Sequence, residues 1–156
     1  MIILLLLLHG LLSVLLLGAL THQSASLLRR RPESNDRSIE PTAGFMGHYS
    51  AINGRLMVTA VVVCYLITFT IGAVLYPTYR LDVRVAFAEM QLPWAIALFE
   101  IKEHWAALGL GLLPFYVQSW RSAAMRQPKL VLTLCLSVVV WFNFIVGHVL
   151  NNFRGL

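Results

Sequence analysis

Four mostly apolar stretches of about twenty residues dominate this chain, at 2–21, 56–76, 93–117 and 130–150, and only the third carries charges. A helix needs roughly 20 apolar residues to cross about 30 Å of hydrocarbon. Inside a bilayer every peptide group must find its partner within its own segment. The expected fold is therefore all-α and integral to a membrane: a bundle of four transmembrane helices. Composition removes the alternatives. The chain is 58% hydrophobic and 12% charged, whereas a soluble domain carries about a quarter charged residues. A water-soluble fold of 156 residues could not hide that much apolar surface. Disordered chains are poor in apolar residues, two cysteines make no disulfide scaffold, and the strict alternation of a β-barrel is absent.

The first stretch lacks the basic residues that precede the apolar run of a secretory signal, and its apolar core is longer. Arg29, Arg30 and Arg31 follow it as a stop-transfer flank. It reads as a retained span. Basic residues set the orientation. Arg29, Arg30, Arg31, Arg37, Arg55, Arg121, Arg126 and Lys129 fall in the 22–55 connection and between the third and fourth spans. Arg80, Arg84 and Arg154 fall on the opposite side. The positive-inside rule places the first group in the cytoplasm and both termini outside. The net charge of +5 is thus a topology signal. Nucleic-acid binding is not expected, because these residues flank spans and lack interleaved aromatics.

Residues 22–55 read as a cytoplasmic loop, rich in polar residues with Pro32, Pro41, Gly44 and Gly47. Residues 77–92 read as an outer interfacial segment. Leu81, Val85 and Ala88 recur there at helical spacing, which predicts a short helix lying in the interface. Tyr76, Tyr79 and Trp94 on one side, and Tyr116 and Trp120 on the other, read as aromatic belts.

Ionisable groups at membrane depth are costly and point to function. The third stretch holds Glu100, Lys102, Glu103 and His104. Glu100 and His104 share a stripe with Ala107, Gly111 and Pro114, polar and then small, and this face is expected to point inward. Lys102 falls on roughly the opposite face. His9 lies about 10 Å below the outer end of its span, Glu100 at a similar depth, and His104 roughly 16 Å in. His148 sits near the outer end of the last span. His9, His104 and His148 are therefore expected to converge in the outer half of the membrane.

Such a cluster suits several chemistries. Haem b would take an axial pair from His9, His104 and His148, with Trp141, Phe142 and Phe144 as walls and Arg80 and Arg84 on the propionates. A transition-metal ion would take His9, Glu100, His104 and His148. Glu100, Glu103 and His104 could relay protons. Against these stands plain structural use, with buried polar residues as interhelical glue and no cofactor. Cys64 and Cys135 read as small apolar fillers. Thr59, Thr68, Thr70, Thr133, Ser137 and Asn143 read as interhelical hydrogen-bond donors. Asn143, Gly147 and Asn151 read as a packing seam.

With its four spans and with His9, His104 and His148, the chain resembles small bacterial four-helix membrane subunits that bind b-type haem or copper. The runs YPTYRLDVR, FEIKEHWAALGLGLLP and GHVLNN have the look of a bacterial family pattern. The resemblance implies a multi-pass protein of a bacterial inner membrane, working beside other membrane subunits. No phosphate-binding loop, dinucleotide fingerprint or nucleophile elbow is present, so a self-contained enzyme is not expected. The leading expectation is a subunit of a respiratory or photosynthetic electron-transfer complex holding haem b near the outer face. The alternatives are a cofactor-free accessory subunit and a metal-ion or proton transport component.

Overall fold

The computed structural model describes residues 1–29, 54–122 and 125–154. Among these the chain is almost wholly helical and has no strand. Helix α1 is Ile2–Arg29 and α2 is Gly54–Thr78. A π-helical turn, Tyr79–Val83, leads into the short α3, Arg84–Glu89. Two long helices follow, α4 (Pro93–Arg121) and α5 (Arg126–Arg154). Three helices are long and apolar enough to cross a membrane: Ile2–Leu28, Leu56–Glu89 and Arg126–Phe153. Helix α4 is not among them. It has the same 29 residues as α5, but Glu100, Lys102 and Glu103 interrupt its apolar run.

Large apolar side chains face outward along the three spanning helices, among them Leu4, Leu11, Leu66, Val74, Val138 and Ile145. Water would penalise such a coat, whereas lipid accepts it. The chain is thus built as a multi-pass helical membrane protein with lipid contact.

Two boundaries differ from the sequence reading. The 22–55 loop begins late, because α1 continues to Arg29. Gln23, Ser24 and Leu27 are buried on that extra length, and the Tyr116 hydroxyl donates to Gln23 Oε1 at 2.6 Å. Packing holds in the bundle a stretch that polarity alone assigns to a loop. Arg30, Arg31, Arg37 and the loop residues Pro32, Pro41, Gly44 and Gly47 lie outside the described residues. The second difference is at 77–92. Pro77 lies inside α2, where its missing N–H removes one rung of the helix ladder. The chain widens into the π turn and stays helical, with Thr78 at φ −61°, ψ −41° and Arg84 at φ −65°, ψ −39°. The expected interfacial helix is therefore the end of the same rod. It stops at Gln91, whose φ is +55°. Leu92 N–H donates to the Phe87 carbonyl at 2.9 Å and Gln91 N–H to Ala88 at 3.1 Å, a Schellman ending before Pro93 opens α4.

The helices form a ring. α1 packs between α2 and α5, α4 packs against α5, and α2 meets α4 more loosely. Two apolar layers fill the ring. The larger joins Leu16, Leu20, Val61, Leu113, Tyr116 and Leu136. The smaller, at the end that carries α3, joins Tyr79, Phe87, Ala95, Val146 and Leu150. Tyr116 and Tyr79 are thus core residues and not belt residues. Interhelical hydrogen bonds come from aromatic tips: Tyr65 to the Ala106 carbonyl at 2.8 Å, Tyr116 to Gln23, Trp120 Nε1 to Thr133 Oγ1 at 3.2 Å and Trp141 Nε1 to Thr21 Oγ1 at 3.0 Å. Three of the six expected donors turn back on their own helices. Thr70, Thr133 and Asn143 donate to the carbonyls of Leu66, Lys129 and Val139. A side chain four residues past a carbonyl reaches it at no cost in helix separation.

Candidate functional site: a cavity between the apolar layers

The two layers leave a cavity of about 350 Å³ between them, walled by four helices. α1 contributes His9, Ser13 and Leu16. α2 contributes Tyr65, Thr68, Phe69, Gly72, Ala73 and Tyr76. α4 contributes Phe99, Lys102, Glu103 and Ala106, and α5 contributes Val140, Asn143 and Phe144. The volume falls in the ordinary range for small-molecule sites, and the wall has their usual make-up of mainly apolar and aromatic groups with a few polar ones.

The cavity exists because small residues meet large ones there. Gly72 lets the His9 ring lie against α2; a Cβ on Gly72 would stand 3.4 Å from His9 Cε1. Gly109, just beneath, admits the Tyr65 hydroxyl, and a Cβ there would collide with it. Tyr65 is thereby pinned between Gly109 and the Ala106 carbonyl. Below it, Leu16, Leu113, Leu136 and Val140 close the ring. Leu16 and Val140 belong both to the cavity wall and to this apolar plug.

Besides the hydroxyls of Ser13, Tyr65 and Tyr76, the polar groups of the wall are His9, Lys102, Glu103, Asn143 and Thr68. His9 Nδ1 and Thr68 Oγ1 are buried without a hydrogen-bond partner. The Lys102 amine rests over the Phe99 ring, 4.6 Å from its centroid. Asn143 spends its Nδ2 on the Val139 carbonyl.

This set differs from the one read in the sequence. Of the three imidazoles, only His9 faces the cavity. His104 is exposed, and its Nδ1 lies 2.7 Å from the Glu100 carbonyl oxygen of its own helix. His148 is exposed and stacks on Phe144 of its own helix. Glu100 is exposed and lies 3.9 Å from Arg84. Arg80 sits over the Tyr76 ring at 5.9 Å. The structure does not bring His9, His104 and His148 together in this cavity. Among the described residues no three His, Cys, Asp or Glu side chains come close enough to hold a metal ion. A haem held by two facing imidazoles does not fit this wall either, because His9 is its one imidazole. Arg80 and Arg84 are engaged elsewhere.

The cause is the rotation of α4. The stripe Glu100, His104, Ala107, Gly111 and Pro114 is exposed throughout. The inward seam is Ala95, Phe99, Lys102, Ala106, Gly109, Leu113 and Tyr116, at alternating steps of four and three. Both stripes have the periodicity of a packing seam. Only the inward one also carries the large residues, Leu113 and Tyr116, that fill a core. That signal was present in the sequence. Asn143 was likewise read as packing and proves to be part of the wall. No protein-family model, curated protein or solved structure matches the chain.

Proposed function

We propose that this protein is a four-span membrane subunit, with both termini on the outer side of a bacterial inner membrane, whose cavity binds a small amphipathic molecule drawn from the bilayer. The observation that carries this reading is the cavity itself. Unpartnered polar groups on an apolar and aromatic wall ask for a guest that is mostly apolar and carries a few oxygen atoms. The plug beneath the cavity argues against a continuous proton or ion path. The loose seam between α2 and α4 offers an entrance from the lipid. Within an electron-transfer complex, such a subunit would hold a mobile lipophilic molecule in place of a haem.

Organic extraction of the purified protein followed by mass spectrometry tests the reading. One class of small lipophilic molecule is expected, at near-equal stoichiometry with the protein, and Ala106→Phe should expel it by filling the cavity. A filled variant that retains the same molecules would defeat the proposal. A reporter fused after Leu156 is expected to be active outside the cytoplasm; a cytoplasmic signal would reverse the orientation.

A second reading, an accessory subunit with no guest, draws on the outward face of α4. Glu100 and His104 are exposed there at the level of the cavity, above the small residues Ala107 and Gly111. Such a face suits close approach of another helix. An empty extract, from a protein that is stable only beside a partner, would favour it.

A further inference from the structure

Taking the cavity as a binding site, the wall narrows what it binds. Three residues of the wall, on three helices, carry a hydrogen-bonding atom without a hydrogen-bond partner. His9 Nδ1 on α1 and Thr68 Oγ1 on α2 have no partner. The Lys102 amine on α4 has neither an ion pair nor a hydrogen bond among the described residues, only the Phe99 ring beside it. The hydroxyl and the amine are donors, and the imidazole donates or accepts according to its tautomer. The amine, which can only donate, calls for a guest with acceptor oxygens. Phe69, Tyr76, Phe99 and Phe144 add aromatic side chains to the same wall, which suits a flat unsaturated ring.

One further residue decides between acceptor classes. Glu103 lines the same cavity as Lys102. A carboxylate there repels an anionic head such as that of a fatty acid, while a neutral carbonyl meets no such penalty. Asn143 gives one N–H of Nδ2 to the Val139 carbonyl and keeps its carbonyl oxygen, so it and Glu103 can accept from hydroxyl groups. A wall with donors and acceptors together suits a ring whose oxygens exist as carbonyls or as hydroxyls.

We infer that the cavity is a quinone-headgroup site, with Lys102 and Thr68 donating to ring carbonyls, His9 completing the polar rim, and Glu103 and Asn143 accepting from the hydroxyls of the reduced form. The isoprenoid tail leaves through the seam between α2 and α4 into lipid.

The test uses the full chain in nanodiscs, titrated with a decyl-substituted benzoquinone while intrinsic fluorescence is followed, with oleate titrated in parallel. Saturable quenching by the quinone is expected, lost in Ala106→Phe, weakened at least tenfold in Lys102→Met and several-fold in Thr68→Val. Circular dichroism establishes that each variant is folded, and Thr68→Val carries the test if Lys102→Met is not. Oleate is expected to give no saturable signal. Quinone quenching unchanged by Lys102→Met and Thr68→Val overturns the inference. Saturable oleate binding that Ala106→Phe removes, without quinone binding, overturns the quinone identity and leaves the binding-site reading standing. If neither ligand binds, both fall.

Discussion

The two faces of α4 have nearly the same spacing and opposite fates. Glu100, His104, Ala107, Gly111 and Pro114 look outward, while Phe99, Lys102 and Ala106 line the cavity above Gly109, Leu113 and Tyr116. Polarity does not separate them, since each carries ionisable groups. Residue size does. The inward face alternates bulk with absence, so Tyr65 can lie over Gly109 and Tyr116 can reach Gln23. The outward face has small residues with nothing to receive: a Cβ on Gly111 would meet no atom within 4 Å.

The sharpest way to break this contrast is a methyl group on each face. Gly109→Ala should cost about 1–3 kcal/mol, because the new Cβ must displace the Tyr65 hydroxyl and break its bond to Ala106. Gly111→Ala, two residues on, should stay within about 0.5 kcal/mol. Thermal unfolding in detergent reads both, and equal losses would refute the assigned rotation of α4. Next comes the ligand contrast. Lys102→Met should weaken quinone binding at least tenfold, while Glu100→Gln on the outward face should change it less than twofold. Tyr116→Phe should cost about 1 kcal/mol, since it strips Gln23 Oε1 of its donor in a buried place; no change in stability would remove α1's extra length from the packed core.

Smaller effects lie where neither face is involved. Gln91→Gly should stabilise the fold by up to about 1 kcal/mol, because a side chain at positive φ is strained and glycine is not. Loss of stability there would mean that the Gln91 side chain has a role beyond the turn. Arg84→Ala should shift stability by less than about 0.5 kcal/mol, as expected for an exposed pair at 3.9 Å. A larger loss, sensitive to salt, would assign the Arg84–Glu100 contact to a covered interface.

Much of the architecture was legible beforehand. The apolar runs located the long helices, and Pro93 marked the start of α4. The ends were less legible, because Gln23 and Ser24 look like loop residues until Tyr116 is seen against them. The site was legible only in part. His9 was singled out and does face the cavity, but its companions are Lys102, Glu103 and Asn143 instead of His104 and His148. Depth along a helix follows from the rise per residue, so residues at one level could be grouped correctly. Their azimuth could not be fixed in the same way, and three of the four grouped residues, Glu100, His104 and His148, are exposed.

Sequence alone determined that this chain is helical and made for lipid, because a bilayer leaves the backbone no alternative and the apolar runs have the length that it demands. Tertiary structure alone decided which residues share a cavity. Rotation of a helix about its axis changes neither its length nor its hydropathy, and is set only when Tyr65, Tyr116 and the glycines opposite them find the fit that lets four helices close.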